Sequence, residues 1–222
     1  MPRALRLWYP GAWYHIIARG NNREPICLAE RDYRRYLRLL QQLLRRYDCR
    51  LHAYVVMTNH VHLMVETGPL HHISKPMQWL HTTYTSYINR VYRRVGHVFQ
   101  GRYRSIVVER DSYALELSRY VHLNPVRAHL VSDPAAYPWS SYGAYVGWGG
   151  VSWVTTAQVL GMISPNPAEQ HERYRQFVLE GLNSPRDLMK QVRGGQVLGS
   201  AEFAERVRER GQTRCGKIAL GV

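Results

Sequence analysis

Between Thr58 and Glu66 the chain reads TNHVHLMVE, and a single valine separates His60 from His62. Side chains alternate across a β-strand, so His60, His62, Met64 and Glu66 share one face and Val61, Leu63 and Val65 share the other. The three apolar residues can enter a core while two imidazoles leave the opposite face together, about 6 to 7 Å apart at the backbone. Two imidazoles so placed can hold one divalent metal. The same pattern also suits a pair of solvent-facing or DNA-contacting histidines, and in a chain with eleven histidines the short motif does not decide between the two. Glu66 shares the histidine face and is left unassigned.

The surrounding elements that must hold this strand are legible. Trp13 to Arg19 (WYHIIAR) has the aromatic and β-branched content of a strand, and Gly20-Asn21-Asn22 marks a turn. From Arg31 to Tyr47, Tyr33, Tyr36, Leu37, Leu40, Leu43, Leu44 and Tyr47 recur at three- and four-residue steps, the period of an amphipathic helix. Arg50 to Met57 reads as a strand that Thr58-Asn59 joins to the strand His60 to Glu66, making a hairpin. Beyond Gly68-Pro69 a long helix runs from His71 to about Val95. The segment Phe99 to Arg104 leads into a strand over Ser105 to Glu109, and Asp111 or Ser112 then caps a helix running toward Asn124-Pro125. The order β-α-β-β-α-β-α predicts an α/β (α+β) fold: a ferredoxin-like antiparallel sheet with helices on one face. Composition shifts at Gly147-Trp148-Gly149-Gly150. This separates a domain of residues 1–147 from a small helical C-terminal region, 151–222, of no evident role. Helices are expected there near Thr155 to Met162, Pro167 to Leu182 and Ala201 to Arg210, with the Gly194-Gly195 loop between the last two.

At 222 residues and 45% hydrophobic content the chain can bury one well-packed domain and an appendage. No apolar run is long enough to span a bilayer, and the N-terminal residues lack a signal-peptide core, so a cytoplasmic protein is expected. Cys27, Cys49 and Cys215 are too widely spaced for a zinc ribbon and read as reduced thiols. The net charge of +14 attracts polyanions and makes nucleic acid the default partner. Only Lys75, Lys190 and Lys217 are lysines, which leaves 27 of the 30 basic residues as arginine, the type that grips phosphate bidentately. Sixteen tyrosines and six tryptophans accompany them, a mixture suited to stacking on unpaired bases.

Three segments together, TNHVHLMVE at Thr58 to Glu66, FQGRYRS at Phe99 to Ser105 and RYVHLNPVRAHLV at Arg119 to Val131, resemble the HUH single-tyrosine transposases. The likeness is strongest to the REP-associated (IS200-like) tyrosine transposases of bacterial chromosomes, and it extends over roughly Trp8 to Val146. It implies that residues 1–147 form a catalytic domain, that His60 and His62 bind Mg²⁺ or Mn²⁺, that Tyr120 is the nucleophile, and that Asn124 completes the metal site. It further implies a nucleoid-associated enzyme acting on single-stranded DNA beside a hairpin in a palindromic repeat. Arg3 and Arg6, in the basic segment Pro2 to Tyr9, would then contact DNA together with Arg19, Arg102, Tyr103 and Arg104. Monomer and dimer both remain open.

The residue types suit that reaction. A phenol of pKa near 10 needs electrostatic help to attack a phosphodiester, and a divalent metal supplies it. The expected products are a 5′-phosphotyrosine link and a free 3′-hydroxyl, and the reverse step joins strands. Tyr120 and Asn124 are four apart and face the same way on a continuous helix. Asn124 before Pro125 is, however, also a good N-cap for a helix starting at the proline. Two other readings are an inactive nucleic-acid-binding regulator descended from such an enzyme, and a metal-dependent hydrolase that uses water.

Overall fold

The computed structural model describes residues 6–149, 151–183 and 188–218. In chain order its elements are β1 (Trp13–Arg19), α1 (Glu30–Arg46), β2 (Arg50–Val56), β3 (His60–Glu66), α2 (Ser74–Tyr92), β4 (Arg104–Val108), α3 (Arg110–Arg127), α4 (Tyr142–Tyr145), α5 (Ala157–Ile163), α6 (Pro167–Asn183), β5 (Val197–Leu198) and α7 (Ala201–Ile218). The sheet order is β2-β3-β1-β4-β5, antiparallel except for the β4–β5 pair. Its first four strands have the ferredoxin-like arrangement that the β-α-β-β-α-β order predicts, and the α+β fold class holds.

β1 lies between β3 and β4, so both of its edges are paired, and all of WYHIIAR but Ile17 and Arg19 is buried. Tyr14, Ile16 and Ala18 point to the side of Val61, Leu63 and Val65, the core under α1 and α2. Those helices supply Tyr36, Leu39, Leu40, Leu43, Met77, Leu80, Tyr84 and Ile88, all buried. Asp32 ties the pair together. It is fully buried near the start of α1, accepts the N–H groups of Leu28 (2.8 Å) and Ala29 (2.9 Å), and takes the hydroxyls of Tyr87 (2.9 Å) and Tyr92 (2.7 Å) from α2. The two N–H groups would otherwise stand unsatisfied at a helix start.

The other face of the sheet carries Trp13, His15, Ile17, His62 and Met64, and α3 covers part of it. Glu109 precedes α3, so Asp111 lies within its first turn and neither Asp111 nor Ser112 is the cap. Nor does the helix stop at Asn124. It runs through Pro125 to Arg127, and no helix begins at Pro125, so the capping role for Asn124 is excluded. A proline is tolerable so near the end because only the Val121 carbonyl loses its partner. Around it, Asn124 Nδ2 donates to the Tyr120 carbonyl (2.7 Å) and the Ala128 N–H to the Asn124 carbonyl (2.9 Å).

The C-terminal helices α5 and α6 form close to their expected spans, while α7 starts at Ala201 as expected but continues past Arg210 to Ile218. Val154, Val159, Leu160, Tyr174, Val178, Leu188, Leu198 and Val207 belong to the same continuous core as the sheet. The sequence did not announce β5. Val107 and Val108 of β4 pair with Val197 and Leu198, so the C-terminal segment closes one sheet edge. Cys27 and Cys49 are buried free thiols. No helix among the described residues is long and apolar enough to cross a membrane.

Candidate nucleic-acid and metal site

The hairpin between β2 and β3 closes with the Met57 N–H on the His60 carbonyl (2.8 Å), which puts His60 at the mouth of the sheet and His62 one pleat further in. His62 is 4% exposed and His60 is intermediate. Both belong to one groove, whose wall from β1 is Ile17 and Arg19 and whose wall from the approach to and start of β4 is Gln100, Arg102 and Arg104. Across it α3 contributes Tyr120 and Asn124, and Met189 comes from the C-terminal segment. The pair four residues apart on α3 therefore meets the pair two residues apart on β3.

Each histidine is held through its Nδ1 atom. His60 Nδ1 lies 2.7 Å from the Asn59 side-chain oxygen, and His62 Nδ1 lies 2.8 Å from Nε2 of His15. The rings of His15 and His62 stack at 5.0 Å and 22°, while His60 meets His62 edge-on at 5.1 Å and 82°. Burial pushes the imidazole pKa values down, and nearby arginines push further. His60 falls to about 4 through burial and Arg19, His15 to about 3 through burial and Arg104, and His62 well below its usual value through burial, His15, His60 and Arg19. All three are therefore neutral at pH 7, the form that coordinates a metal. With Nδ1 engaged on both rings, the Nε2 atoms of His60 and His62 and the Asn124 amide oxygen are the uncharged N,N,O donors that these groove residues could offer a metal. That set fits a divalent cation that keeps water and phosphate oxygens as its other ligands. Among the described residues no group of three or more His, Cys, Asp or Glu is placed to hold a metal.

The Tyr120 ring stands edge-on to His62 (5.6 Å, 78°) and His15 (5.8 Å, 77°), with the Arg127 guanidinium 5.2 Å from its centre. Arg19, Arg102 and Arg104 are exposed and leave the groove strongly positive. Arg102 and Arg104 also line a second groove with Arg6, Tyr103 and Gln196. Within that groove the Arg6 guanidinium sits 4.1 Å from the centre of the Tyr103 ring, which also meets His81 edge-on. Arg3 lies outside the described residues.

Two titratable residues, Glu66 on the histidine face of β3 and His122 on α3, lie away from this groove. Glu66, at the far end of β3, binds His52 (3.0 Å) and Arg50 (3.3 Å). His122 is buried between the hydroxyls of Tyr174 (2.8 Å) and Ser141 (2.7 Å), pointing away from Tyr120 as its helical position predicts. Sequence reasoning did not single out His15, Asn59, Gln100, Arg127 or Met189. A histidine in a strand apolar on both faces was a usable signal for His15, and Asn59, Gln100 and Arg127 sit inside the three motifs. Nothing local marks Met189.

The family model for IS200-like transposases matches residues 9–124. Among solved structures, a REP-associated tyrosine transposase bound to a REP hairpin aligns at a TM-score of 0.57 and 18% identity, covering 70% of this chain and 92% of that one. A candidate transposase from Deinococcus radiodurans R1 aligns at a TM-score of 0.39 and 18% identity, covering 54% of this chain and 95% of that one. No curated protein matches the chain.

Proposed function

Since the chain belongs to the IS200-like transposase family, we propose that it nicks and rejoins single-stranded DNA with Tyr120 as nucleophile and a divalent metal, Mg²⁺ or Mn²⁺, on His60, His62 and Asn124. One observation carries this reading: Tyr120 and Asn124 of α3 share a groove with His60 and His62 of β3, under the charges of Arg19, Arg102 and Arg104. A cation held by His60, His62 and Asn124 would supply polarisation of the scissile phosphate and offset charge on the leaving oxygen.

Tyr120 gives up its phenolic proton to solvent and its oxygen attacks phosphorus. The bond to the 3′ oxygen breaks, and that oxygen takes up a proton as a free 3′-hydroxyl. The 5′ phosphate remains on Tyr120 until the 3′-hydroxyl of another strand attacks it, restores the phosphodiester and releases the phenol. The arginines of the groove hold flanking phosphates in line, and the cation of Arg127 stands beside the reacting oxygen's ring. The chemistry is assigned to residues 1–147, with residues 151–222 bracing the helix that bears the nucleophile.

The substrate is a hairpin-containing repeat. The REP hairpin bound by the structural neighbour supports that choice, and so do the net charge of +14 and its arginine bias. Arg6, Arg19, Arg102 and Arg104 are assigned to its backbone, and the protein acts on chromosomal DNA in the cytoplasm.

Labelled hairpin strands incubated with Mg²⁺ and resolved on denaturing gels test the reading. Wild-type protein should become covalently attached to DNA, and Tyr120→Phe should lose both adduct and cleavage while its DNA affinity changes less than about twofold. Adduct that survives the substitution would move the nucleophile to another tyrosine. Cleavage without adduct would indicate hydrolysis by water, and binding without cleavage an inactive regulator.

A further inference from the structure

His15 is fully buried at the centre of the sheet, where its strand neighbours Met64 and Ile106 are apolar. Its Nε2 lies 2.8 Å from Nδ1 of His62, and its Nδ1 is buried without a hydrogen-bond partner. An imidazole with one orphaned nitrogen is an expensive filling for such a position, where phenylalanine or leucine would bury no polar atom. The compensation has to lie at the other nitrogen. A His62 that coordinates through Nε2 must carry its proton on Nδ1, and Nε2 of His15 is the acceptor placed to receive it. The two rings are nearly parallel, so this bond also sets the direction in which His62 points its lone pair.

We infer that His15 is a positioning residue. It locks His62 in the tautomer and orientation that present Nε2 to the groove, as Asn59 does for His60 from the hairpin turn. Tyr120 packs against both His15 and His62, so the same ring also references the nucleophile to its metal ligand. The inference rests on the metal reading of His60 and His62 given above.

Mn²⁺ binding by isothermal titration calorimetry, read beside thermal melting, separates this role from a packing role. His15→Phe should weaken Mn²⁺ binding by about 10- to 100-fold with a Tm equal to or above that of the wild type. His15→Gln, whose side-chain oxygen can accept from His62 Nδ1, should recover most of the affinity. A residue that only packs would give a lowered Tm with unchanged Mn²⁺ affinity, which would overturn the inference. Should neither variant fold, the wild-type protein still decides: a long-range proton–nitrogen correlation spectrum of the Mg²⁺-loaded form should place the shared proton on His62 Nδ1. Finding it on His15 Nε2 would refute the proposal. The two hypotheses fail differently. Wild-type protein that takes up no Mn²⁺ would sink the metal reading and this inference with it. Mn²⁺ uptake that is lost in His62→Ala but unchanged in His15→Phe would sink the inference alone.

Discussion

Asn124 carries two polar side-chain atoms. Its Nδ2 donates to the Tyr120 carbonyl, bracing the helix one step before Pro125, and its Oδ1 is the atom to which the proposed function gives the metal-ligand role. Asp at this position keeps an oxygen for the metal but cannot donate to a carbonyl. Ser can donate to the carbonyl four residues back but is too short to replace the amide oxygen. If ligation matters, Asn124→Asp should retain Mg²⁺-dependent cleavage and Asn124→Ser should lose more than about tenfold of it. The brace alone is worth about 0.5–1.5 kcal/mol, which thermal melting of the Asp variant would report. Full cleavage by the Ser variant with loss in the Asp variant would leave His60 and His62 as the protein's only ligands. The continuation of the helix past Asn124 was not readable locally, because Asn-Pro also signals a helix start, and the packing of Leu123 and Pro125 into the core carries the helix past it.

At the scale of elements, the helical layer under the sheet depends on one carboxylate. Asp32 has no exposure, and bonds from Tyr92, Leu28, Ala29 and Tyr87 more than offset the effect of burial, holding its pKa below the usual carboxylate range. Asp32→Asn turns one acceptor into a donor that faces donors, at a cost of about 1–3 kcal/mol. A Tm lower by several degrees is therefore expected. At 25 °C the folded variant should still form the DNA adduct, because α1 and α2 lie on the face of the sheet away from Tyr120. An unchanged Tm would mean that water or relaxed tyrosines replace the lost acceptor.

The whole molecule combines a large positive charge with neutral histidines sealed in its interior. His122 has no exposure, and burial lowers its pKa from about 6.5 to about 3. The folded state therefore binds this proton less readily than the unfolded state. Stability from this group is fully present above about pH 6.5 and is lost as the pH falls below it, at about 1.4 kcal/mol per pH unit until the folded pKa is reached. His81 shifts in the same direction. Urea denaturation at pH 7, 6 and 5 should show a midpoint that drops at each step. A midpoint constant from pH 7 to 5 would mean that His122 is open to protonation in the folded protein.

The sequence by itself determined the strands and helices whose side-chain period is strict. WYHIIAR and HVHLMVE form strands with the expected ends, and α1 and α2 fall within a few residues of their predicted spans. It also determined which histidine-strand residues share a face, since alternation is a property of the backbone alone. The meeting of the groups depended on tertiary structure. Crossing α3 over the sheet brings Tyr120 beside His62, and antiparallel pairing of β1 with β3 sets His15 opposite Met64, two residues along the same face from His62. The same face carries Glu66 away to His52, because a bulge in β2 between Leu51 and Ala53 turns His52 toward it. Met189 reaches the groove only because the C-terminal segment returns to pair along β4. Contacts between residues distant in sequence are set by packing and by the satisfaction of buried polar groups, and neither leaves a periodic trace in the chain.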